Sequence, residues 1–379
     1  MQKIKFTVLL VFILSVNIFA LGQKKKSESQ KAYFLDFENT YPWRMYGYDV
    51  EHSNKIKARI SPPLKLLWKK EKNIIPFLTP VIYSGILYIQ GDSSKLYSFN
   101  AGNGNSIWEY SCDSKLITSP LIMGNFIFTG DEKGVFYCIN TRDGKIVWAT
   151  DTKAGFFGSS PVPDENMFSI YITNTNGWIY NIAVEDGRPR GTIKIDKKIC
   201  SALTYDNKFI YTASYDSCLY AINRYTKKLF EWTAIFPGYI NISPAIDREK
   251  IYVTVKDKGL YAVNKNGKIA WKKELDSTEA PFGNVAISEN SVYFISSKAV
   301  YLFEKTSGET RWKIDMYIPT TPVITDRILY VGDGKGNIHA YNKEKGKLYW
   351  EKNISRDKIS GLIISEERLY VWTEKEIQV

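Results

Sequence analysis

The residues of this chain most able to carry chemistry are few and scattered. The chain has two histidines, His52 and His339, and a His-based metal site or a Ser-His-Asp triad would depend on one of them. His339 stands where a tyrosine recurs in similar segments, so we interpret it as a packed strand residue. Asp333 and Asn337 flank a Gly-rich turn, and a hairpin explains them better than a calcium site, which needs about six to eight oxygen ligands. We predict no catalytic, cofactor-binding or metal-ligating residue.

The four cysteines do not form a recognisable motif. No two are adjacent, and no Cys-x-x-Cys occurs. In an exported chain such cysteines could pair, but we favour buried single thiols, because free cysteine packs as a small apolar residue. The four are Cys112, Cys138, Cys200 and Cys218.

A small polar residue recurs just before a repeated proline or its equivalent. Such residues could line a polar mouth for a ligand or peptide, although hydrogen bonds to neighbouring segments or to water are the simpler interpretation. The set comprises Thr79, Ser119, Ser160, Ser201, Ser243, Asn284 and Thr321.

Recurring tryptophans show that the polar residues belong to a sequence repeat of about 40 residues. Successive spacings are 40, 40, 84, 39, 41 and 38 residues, and the long gap is two periods with one Trp lost. We predict that these indoles pack between neighbouring repeats rather than bind a cofactor, because a Trp side chain has a large apolar area to bury. The set comprises Trp68, Trp108, Trp148, Trp232, Trp271, Trp312 and Trp350.

Each repeat contains four short apolar runs separated by turn residues. Glycine lies four residues before Trp in five copies, and upstream of it comes a strand such as Leu260–Asn264. Four antiparallel strands in about 40 residues match one blade of a β-propeller. One blade cannot bury both of its faces, so the repeats are predicted to close into a ring.

The two ends of the repeat region complement each other. After Trp350 the chain has room for three strands, and Leu64–Lys69 supplies the missing fourth. The sequence therefore predicts an all-β fold, an eight-bladed propeller of four-stranded antiparallel blades closed by pairing of N- and C-terminal strands. Seven blades is the alternative, because the unit at residues 160–200 has lost its Trp within Arg190–Ile193 and should pack less tightly.

The repeat resembles the PQQ-like β-propeller family, also called the quinoprotein alcohol dehydrogenase-like superfamily. Residues 260–271, Leu-Tyr-Ala-Val-Asn-Lys-Asn-Gly-Lys-Ile-Ala-Trp, carry the resemblance best, and Trp43–Gly47 with His52-Ser53 resembles the family's lead-in. The resemblance covers about residues 42–379. Enzymatic members are implied to have an adjacent Cys pair and acidic calcium ligands, and this chain has no Cys-Cys.

The resemblance therefore favours the non-enzymatic members, of the type that acts in outer-membrane protein assembly. The chain lacks the lipidated Cys of those members near its N-terminus, which places membrane anchoring and the same role in doubt. We predict an exported protein-interaction scaffold with no cofactor. A PQQ-dependent oxidoreductase-like protein and a surface module that binds anionic glycans are the alternatives.

The N-terminus indicates export. Lys3 and Lys5 precede an apolar run of 14 residues, and Ala20-Leu21-Gly22 offers a cleavage site, so residues 1–22 are typical of a signal peptide. Residues 23–41 are predicted to be a polar linker, and residues 42–379 one propeller domain. We expect a periplasmic or extracellular monomer, not integral to the membrane after cleavage; tethering by an uncleaved segment is the alternative.

The net charge of +11 favours anionic partners in general. The lysines are scattered through apparent turns, however, and no nucleic-acid-binding motif accompanies them. We therefore expect another envelope protein or a peptide as the partner, and no nucleic acid.

Overall fold

The computed structural model describes residues 43–71, 78–91, 94–153, 160–195, 197–199, 201–226 and 231–379. The predicted signal peptide, the predicted linker and Cys200 lie outside the described residues. The described part of the chain folds into eight four-stranded antiparallel sheets. Among these residues, none belongs to a helix with the length and apolar character required to cross a bilayer.

The sheets are the blades of a propeller, numbered here in chain order after the N-terminal closing strand β1 (Lys69–Glu71). Blade 1 contains β2 (Val81–Tyr83), β3 (Ile86–Gln90), β4 (Lys95–Asn100) and β5 (Ser106–Ser111). Blade 2 contains β6 (Leu121–Met123), β7 (Phe126–Gly130), β8 (Val135–Asn140) and β9 (Ile146–Asp151). Blade 3 contains β10 (Val162–Asp164), β11 (Ser169–Thr173), β12 (Trp178–Ala183) and β13 (Pro189–Lys194). Blade 4 contains β14 (Thr204–Tyr205), β15 (Phe209–Ala213), β16 (Cys218–Asn223) and β17 (Trp232–Ile235).

The second half of the ring follows the same order. Blade 5 contains β18 (Ala245–Ile246), β19 (Lys250–Val255), β20 (Gly259–Asn264) and β21 (Ile269–Glu274). Blade 6 contains β22 (Ala286–Ile287), β23 (Ser291–Ile295), β24 (Ala299–Glu304) and β25 (Thr310–Asp315). Blade 7 contains β26 (Val323–Ile324), β27 (Ile328–Gly332), β28 (Asn337–Asn342) and β29 (Leu348–Asn353). Blade 8 contains β30 (Gly361–Ser365), β31 (Arg368–Trp372), β32 (Glu376–Gln378) and β1.

Burial of the strands decreases from the inside of each blade to its outside. The second strand β15 is buried throughout, whereas the outermost strand β5 alternates exposed and half-buried residues. The apolar core lies between sheets: Val81 and Tyr88 of blade 1 share one cluster with Ile122 and Ile127 of blade 2. The repeated apolar pattern therefore produces a stack of sheets that bury one another's faces.

The ring closes through the chain ends, as predicted. Strand β1 pairs antiparallel with β32, in the register that joins Lys69 to Gln378. The Leu67 amide donates to the Val379 carbonyl at 2.7 Å. The strand starts at Lys69 rather than at Leu64, and its pairing with β32 runs from Lys69 with Gln378 to Glu71 with Glu376. The prediction of eight blades is confirmed, and the seven-blade alternative is wrong because residues 162–194 form a complete sheet.

Candidate functional site

The centre of the ring is crossed by residues 43–56, which we call the channel segment. Its backbone carbonyls accept hydrogen bonds from the innermost strands of six blades, at 2.7–3.4 Å. The donors are the amides of Ile82, Ile122, Tyr205, Ile246, Ile287 and Ile324, and the acceptors are the carbonyls of Trp43, Arg44, Val50, Glu51, Ser53 and Asn54.

Blade 3 has a proline at the corresponding position. Pro163 pairs with Ile170 as Ile82 pairs with Leu87, so the two residues are equivalent in their blades. Proline has no N–H to donate. The channel segment therefore accepts amide hydrogen bonds from blades 2 and 4, on either side of blade 3. It accepts no equivalent bond from Pro163 of blade 3.

Tight turns shape the channel segment. Gly47, Tyr48, His52 and Asn54 all have positive φ. A Cβ on Gly47 would lie 2.7 Å from the His52 ring, so only glycine fits there. The side chain of Asp49 accepts hydrogen bonds from the backbone and hydroxyl of Ser53 and holds the turn. These contacts explain why the segment folds locally without being a strand.

His52 is a structural member of the channel segment. It is 1% exposed, its Nδ1 lies 3.2 Å from the Pro244 carbonyl, and its ring meets Tyr46 edge-on. Among the described residues its Nε2 has no hydrogen-bond partner. Burial lowers the pKa of His52 to about 4 and keeps the ring neutral near pH 7.

A small cavity lies in the channel beside this segment. A cavity of about 80 Å³ lies between Tyr46 and the innermost strands, and its lining includes Thr79, Asn284 and Thr321 from the polar set. The Tyr46 hydroxyl lies within hydrogen-bonding distance of the Asn284 side chain. These three polar residues therefore lie at the channel.

Members of the polar set also link neighbouring blades. The Ser119 hydroxyl accepts from the Thr79 amide at 3.2 Å, and the Thr321 hydroxyl accepts from the Asn284 amide at 3.2 Å. The Ser243 hydroxyl accepts from the Ala202 amide, and Ser201 bonds to Ala213 within its own blade. Ser119, Ser160, Ser201 and Ser243 are buried. The suggestion that the set forms a ligand mouth stays a prediction.

The channel does not fit the quinone cofactor that the enzymatic members of the resembled family imply. Pockets for small molecules usually enclose about 300–1,000 Å³, whereas the cavity beside Tyr46 has about 80 Å³. The channel segment lies across this region and is held there by main-chain hydrogen bonds to six blades. Within the described ranges, no three His, Cys, Asp or Glu side chains are grouped as metal ligands. We derive no redox step through this channel.

The other residues considered for chemistry have structural surroundings. His339 is buried, and its Nε2 lies 3.1 Å from Asp333. Asp333 accepts from the Lys335 and Asn337 amides and so holds a hairpin turn. Although burial opposes it, hydrogen bonds from Asn337 and His339 lower the pKa of Asp333. The three described cysteines, Cys112, Cys138 and Cys218, are free thiols.

The repeated tryptophans lie at the seams between blades. At six seams the indole covers a turn of the next blade, so close that a Cβ on the turn glycine would lie within about 3.1 Å of the ring. The indole Nε1 also donates to a backbone carbonyl of that next blade at 2.9–3.2 Å. The pairs are Trp68 with Gly104, Trp108 with Gly144, Trp148 with Gly187, Trp232 with Gly267, Trp271 with Gly308 and Trp312 with Gly346.

Trp350 lies at a seam that has no such turn. It belongs to blade 7, and in blade 8 the turn between the third and fourth strands is replaced by the chain ends. Trp350 lines a cleft of about 520 Å³ there, together with Leu66, Leu67, Ile354 and Val379. Closing the ring by its termini therefore leaves a cleft at the outer rim.

Three consecutive seams also carry an ion pair between blades. Arg224 pairs with Asp164 at 2.8 Å, Lys265 with Asp206 at 3.0 Å, and Lys305 with Asp247 at 2.9 Å. Only the first pair is fully buried, with both side chains at most 3% exposed. In each pair the cation follows the residue that ends the third strand of a blade. A basic residue at that repeat position is the sequence signal that could have revealed these pairs.

Aromatic side chains are exposed on the face that carries the loops entering each blade. Tyr239, Phe282 and Tyr317 lie in the loops that lead into blades 5, 6 and 7, and are 37%, 43% and 58% exposed. Tyr215 of blade 4 packs against Tyr239, with ring centroids 5.3 Å apart. Lys198 lies 5.2 Å from the Tyr215 ring. We call these four aromatic residues the loop-face patch; the sequence analysis missed it because loop aromatics have no period.

A family model, a sequence relative and a solved structure share one description. A PQQ-type family model, described as the outer membrane protein assembly factor BamB, matches residues 58–167, 116–190, 175–301 and 296–379. A protein of that name from Yersinia pestis is 21% identical over 306 residues, which are 72% of this chain and 76% of that protein. The crystal structure of BamB from Moraxella catarrhalis superposes with a TM-score of 0.68 and 16% identity, covering 83% of this chain and 96% of the other.

An enzyme is also among the relatives. A tetrathionate hydrolase from Acidithiobacillus ferrooxidans is 24% identical over 312 residues, which are 75% of this chain but only 59% of the hydrolase. Sequence similarity at this level is shared by proteins of different function on one fold, so function has to be argued from the site.

Proposed function

Because this chain belongs to the PQQ-like repeat family of the outer membrane protein assembly factor BamB, we propose that it is a non-enzymatic scaffold in outer-membrane protein assembly. The observation that carries the proposal is the channel segment. It fills the centre of the ring and is fixed there by main-chain hydrogen bonds to six blades. The surfaces that remain available to a partner are the loops between strands and the outer rim of the ring.

Export to the periplasm is part of this proposal. The signal peptide predicted for residues 1–22 supports it, as does the similarity to outer membrane protein assembly factors. We expect a monomeric propeller whose partner is another envelope protein.

The loop-face patch is the proposed docking surface. Exposed Tyr239, Phe282 and Tyr317 come from successive blades, so one partner segment can contact all three. Aromatic residues supply much of the binding energy of protein interfaces, and Lys198 beside Tyr215 adds positive charge. This combination favours a partner with an apolar, acidic segment.

A hydrolase role is less well supported. The channel cavity beside Tyr46, of about 80 Å³, is far smaller than a typical substrate pocket. The hydrolase relative is also considerably longer than the part this chain matches.

A deletion strain of the native host tests the proposal. Loss of the protein should lower the amount of folded outer-membrane barrel proteins, and the wild-type chain should restore it. A triple variant with Tyr239→Ser, Phe282→Ser and Tyr317→Ser should fold but fail to restore it. The matched control replaces three exposed apolar residues of outermost strands, Ile107→Ser, Ile146→Ser and Ile269→Ser. Unchanged barrel-protein levels in the deletion strain would refute the assembly role.

A further inference from the structure

The two faces of the ring carry different connections between strands. Neighbouring strands of a blade are antiparallel, so the turns between its first and second strands and between its third and fourth strands lie at one end. The loops that enter each blade lie at the other end, with the loop-face patch. We call the end that carries the two turns of each blade the turn face. A ligand bound at the turn face leaves the loop-face patch accessible.

The chain that leads away from the channel segment also reaches the turn face. Lys55 forms an ion pair with Glu289, which lies in the first turn of blade 6. Arg59 lines a cleft together with Arg327 of the first turn of blade 7. Residues 55–61 therefore belong to the part of the turn face that blades 6 and 7 form.

Charge is distributed unevenly over the turn face. In the half formed by blades 4 to 7 and residues 55–61, the described residues include thirteen basic and eight acidic side chains. The turns of blades 8, 1, 2 and 3 contain three basic and six acidic side chains. The turns of the basic half are residues 206–208, 224–226 with 231, 247–249, 265–268, 288–290, 305–309, 325–327 and 343–347, and those of the other half are residues 84–85, 101–105, 124–125, 141–145, 165–168, 184–188 and 366–367. Lysines that look scattered along the sequence are therefore gathered on one half of one face.

Most carboxylates of the basic half already have a cationic partner. Five of the eight form ion pairs, namely Asp206, Asp247, Glu249, Glu289 and Glu344. Eight of the cations are exposed and form no ion pair within the described ranges, and they outnumber the three remaining carboxylates. These cations are Lys57, Arg59, Lys208, Arg248, Lys268, Arg327, Lys345 and Lys347. The basic half thus has an excess of positive charge that the protein itself does not neutralise.

The unpaired cations are spread over several blades. Lys208, Arg248 and Arg327 occupy the first turns of blades 4, 5 and 7, whereas Lys268 and Lys345 occupy the second turns of blades 5 and 7. Equivalent turns of similar blades end at the same level of a ring, so a flat surface can contact all of them. A narrow ligand would reach only one or two. This arrangement favours an extended anionic surface over a small anion.

Two exposed tyrosines and a cleft accompany these charges. Tyr225 in the second turn of blade 4 is 68% exposed, and Tyr349 of blade 7 is 50% exposed. Tyrosine is enriched at membrane interfaces because its ring is apolar and its hydroxyl is polar. Arg59 and Arg327 line a cleft of about 860 Å³, and Asp326 also belongs to its lining. Guanidinium groups bind phosphate oxygens well, so the cleft can receive a lipid headgroup.

We propose that the basic half of the turn face binds the surface of a membrane that contains anionic phospholipids. Each basic residue close to such a surface raises the affinity roughly fivefold, so the unpaired cations together can hold the protein at the bilayer. Bound in this way, the ring directs the loop-face patch away from the lipid, towards a protein partner. This second surface goes beyond the scaffold function and does not depend on it.

Flotation of the purified, exported protein with lipid vesicles tests the proposal. The wild type should bind vesicles of phosphatidylglycerol and phosphatidylcholine, and should bind vesicles of phosphatidylcholine alone only weakly. High salt should release it, because salt screens exposed charges. Soluble glycerol phosphate should not displace it. Displacement would show that one headgroup phosphate, rather than a surface, is the ligand, and would overturn the proposal.

Two triple variants separate the turn face from net charge. The first variant, Lys57→Gln with Lys268→Gln and Lys345→Gln, should lower the vesicle affinity about a hundredfold, since three contributions are lost. The matched control, Lys133→Gln with Lys298→Gln and Lys335→Gln, removes three exposed lysines from turns at the opposite face and should bind close to the wild type. All six side chains are exposed, so both variants should unfold at the wild-type temperature.

Three further results would overturn the proposal: no vesicle binding by the wild type, equal affinities of the two triple variants, or tighter binding to the anionic polysaccharide alginate that is lost in the first variant. The last result would assign the surface to a glycan. Vesicle binding requires neither a protein partner nor barrel assembly. Failure of the deletion-strain test would therefore count against the scaffold function and leave the vesicle result standing.

Discussion

Gly144 lies directly beneath the indole of Trp108, across the seam between blades 1 and 2. A Cβ at Gly144 would stand 2.6 Å from Cε3 of that ring, and the residue has φ of +69°. The Trp108 Nε1 donates to the Thr141 carbonyl at 2.9 Å, three residues earlier in the same turn. The two contacts fix the turn of blade 2 on the outermost strand of blade 1.

Gly144→Ala should therefore destabilise the protein by about 2–5 kcal/mol. A left-handed alanine costs about 1–2 kcal/mol, and overpacking against the ring adds about 1–3 kcal/mol. Gly85→Ala is the matched control, because Gly85 has φ of +72° but no atom within 4 Å of a Cβ. Gly85→Ala should lower the free energy of unfolding only by the cost of the left-handed backbone conformation. Denaturant unfolding measures both, and equal losses would show that the ring contact is unimportant.

The buried ion pair between blades 3 and 4 should matter more than its exposed counterpart. Arg224→Met leaves Asp164 charged and buried, which costs about 3–5 kcal/mol. Lys265→Met breaks the pair with Asp206, in which both side chains are 23–30% exposed, and such pairs contribute about 1 kcal/mol or less. Thermal and denaturant unfolding of the two variants provide the comparison. A larger loss in the Lys265 variant would contradict the role of burial.

His52 should make the protein less stable in mild acid. Its pKa is lowered to about 4 in the folded protein, against about 6.5 when unfolded. The unfolded chain therefore takes up a proton first as pH falls from about 6.5 to about 4, and the folded state loses stability over that window. When the full difference between the two pKa values has taken effect, the free energy of unfolding has fallen by about 3 kcal/mol.

The variant His52→Gln cannot take up this proton and isolates the effect. The free energy of unfolding should fall less between pH 7 and pH 4.5 in the variant than in the wild type, whatever the variant's stability at pH 7. The same slope in both proteins would show that His52 titrates normally when folded.

Deletion of residues 376–379 should open the ring. It removes β32, the pairing partner of β1, and with it the side chain of Ile377, which is 1% exposed. Burial of one such side chain contributes about 1.5–3 kcal/mol. Hydrogen exchange of the Lys69–Glu71 amides should accelerate. Lys375→Ala, which removes only an exposed pair with Asp357, is the control, and protected β1 amides in the truncated protein would contradict closure by pairing.

The repeated elements could be predicted from the sequence because their signals are local. Blade number follows from a period of about 40 residues, and the apolar runs mark the strands because each strand buries a face against the next sheet. Closure followed from a count of missing strands at one end. Only the start of the closing strand, at Lys69 rather than Leu64, depended on its register with a strand that is distant in sequence.

The sequence alone thus determined the ring, whereas the tertiary structure decided what the ring contains and which charged turns it brings together. The channel segment contacts residues 39 to 270 positions away, such as Ile82 and Ile324, and no periodic signal in the sequence indicates such pairings. The lysines were visible in the sequence, but their gathering on one half of the turn face depends on which turns the ring places side by side. Packing is a property of contacts between distant segments, so only the folded chain shows it.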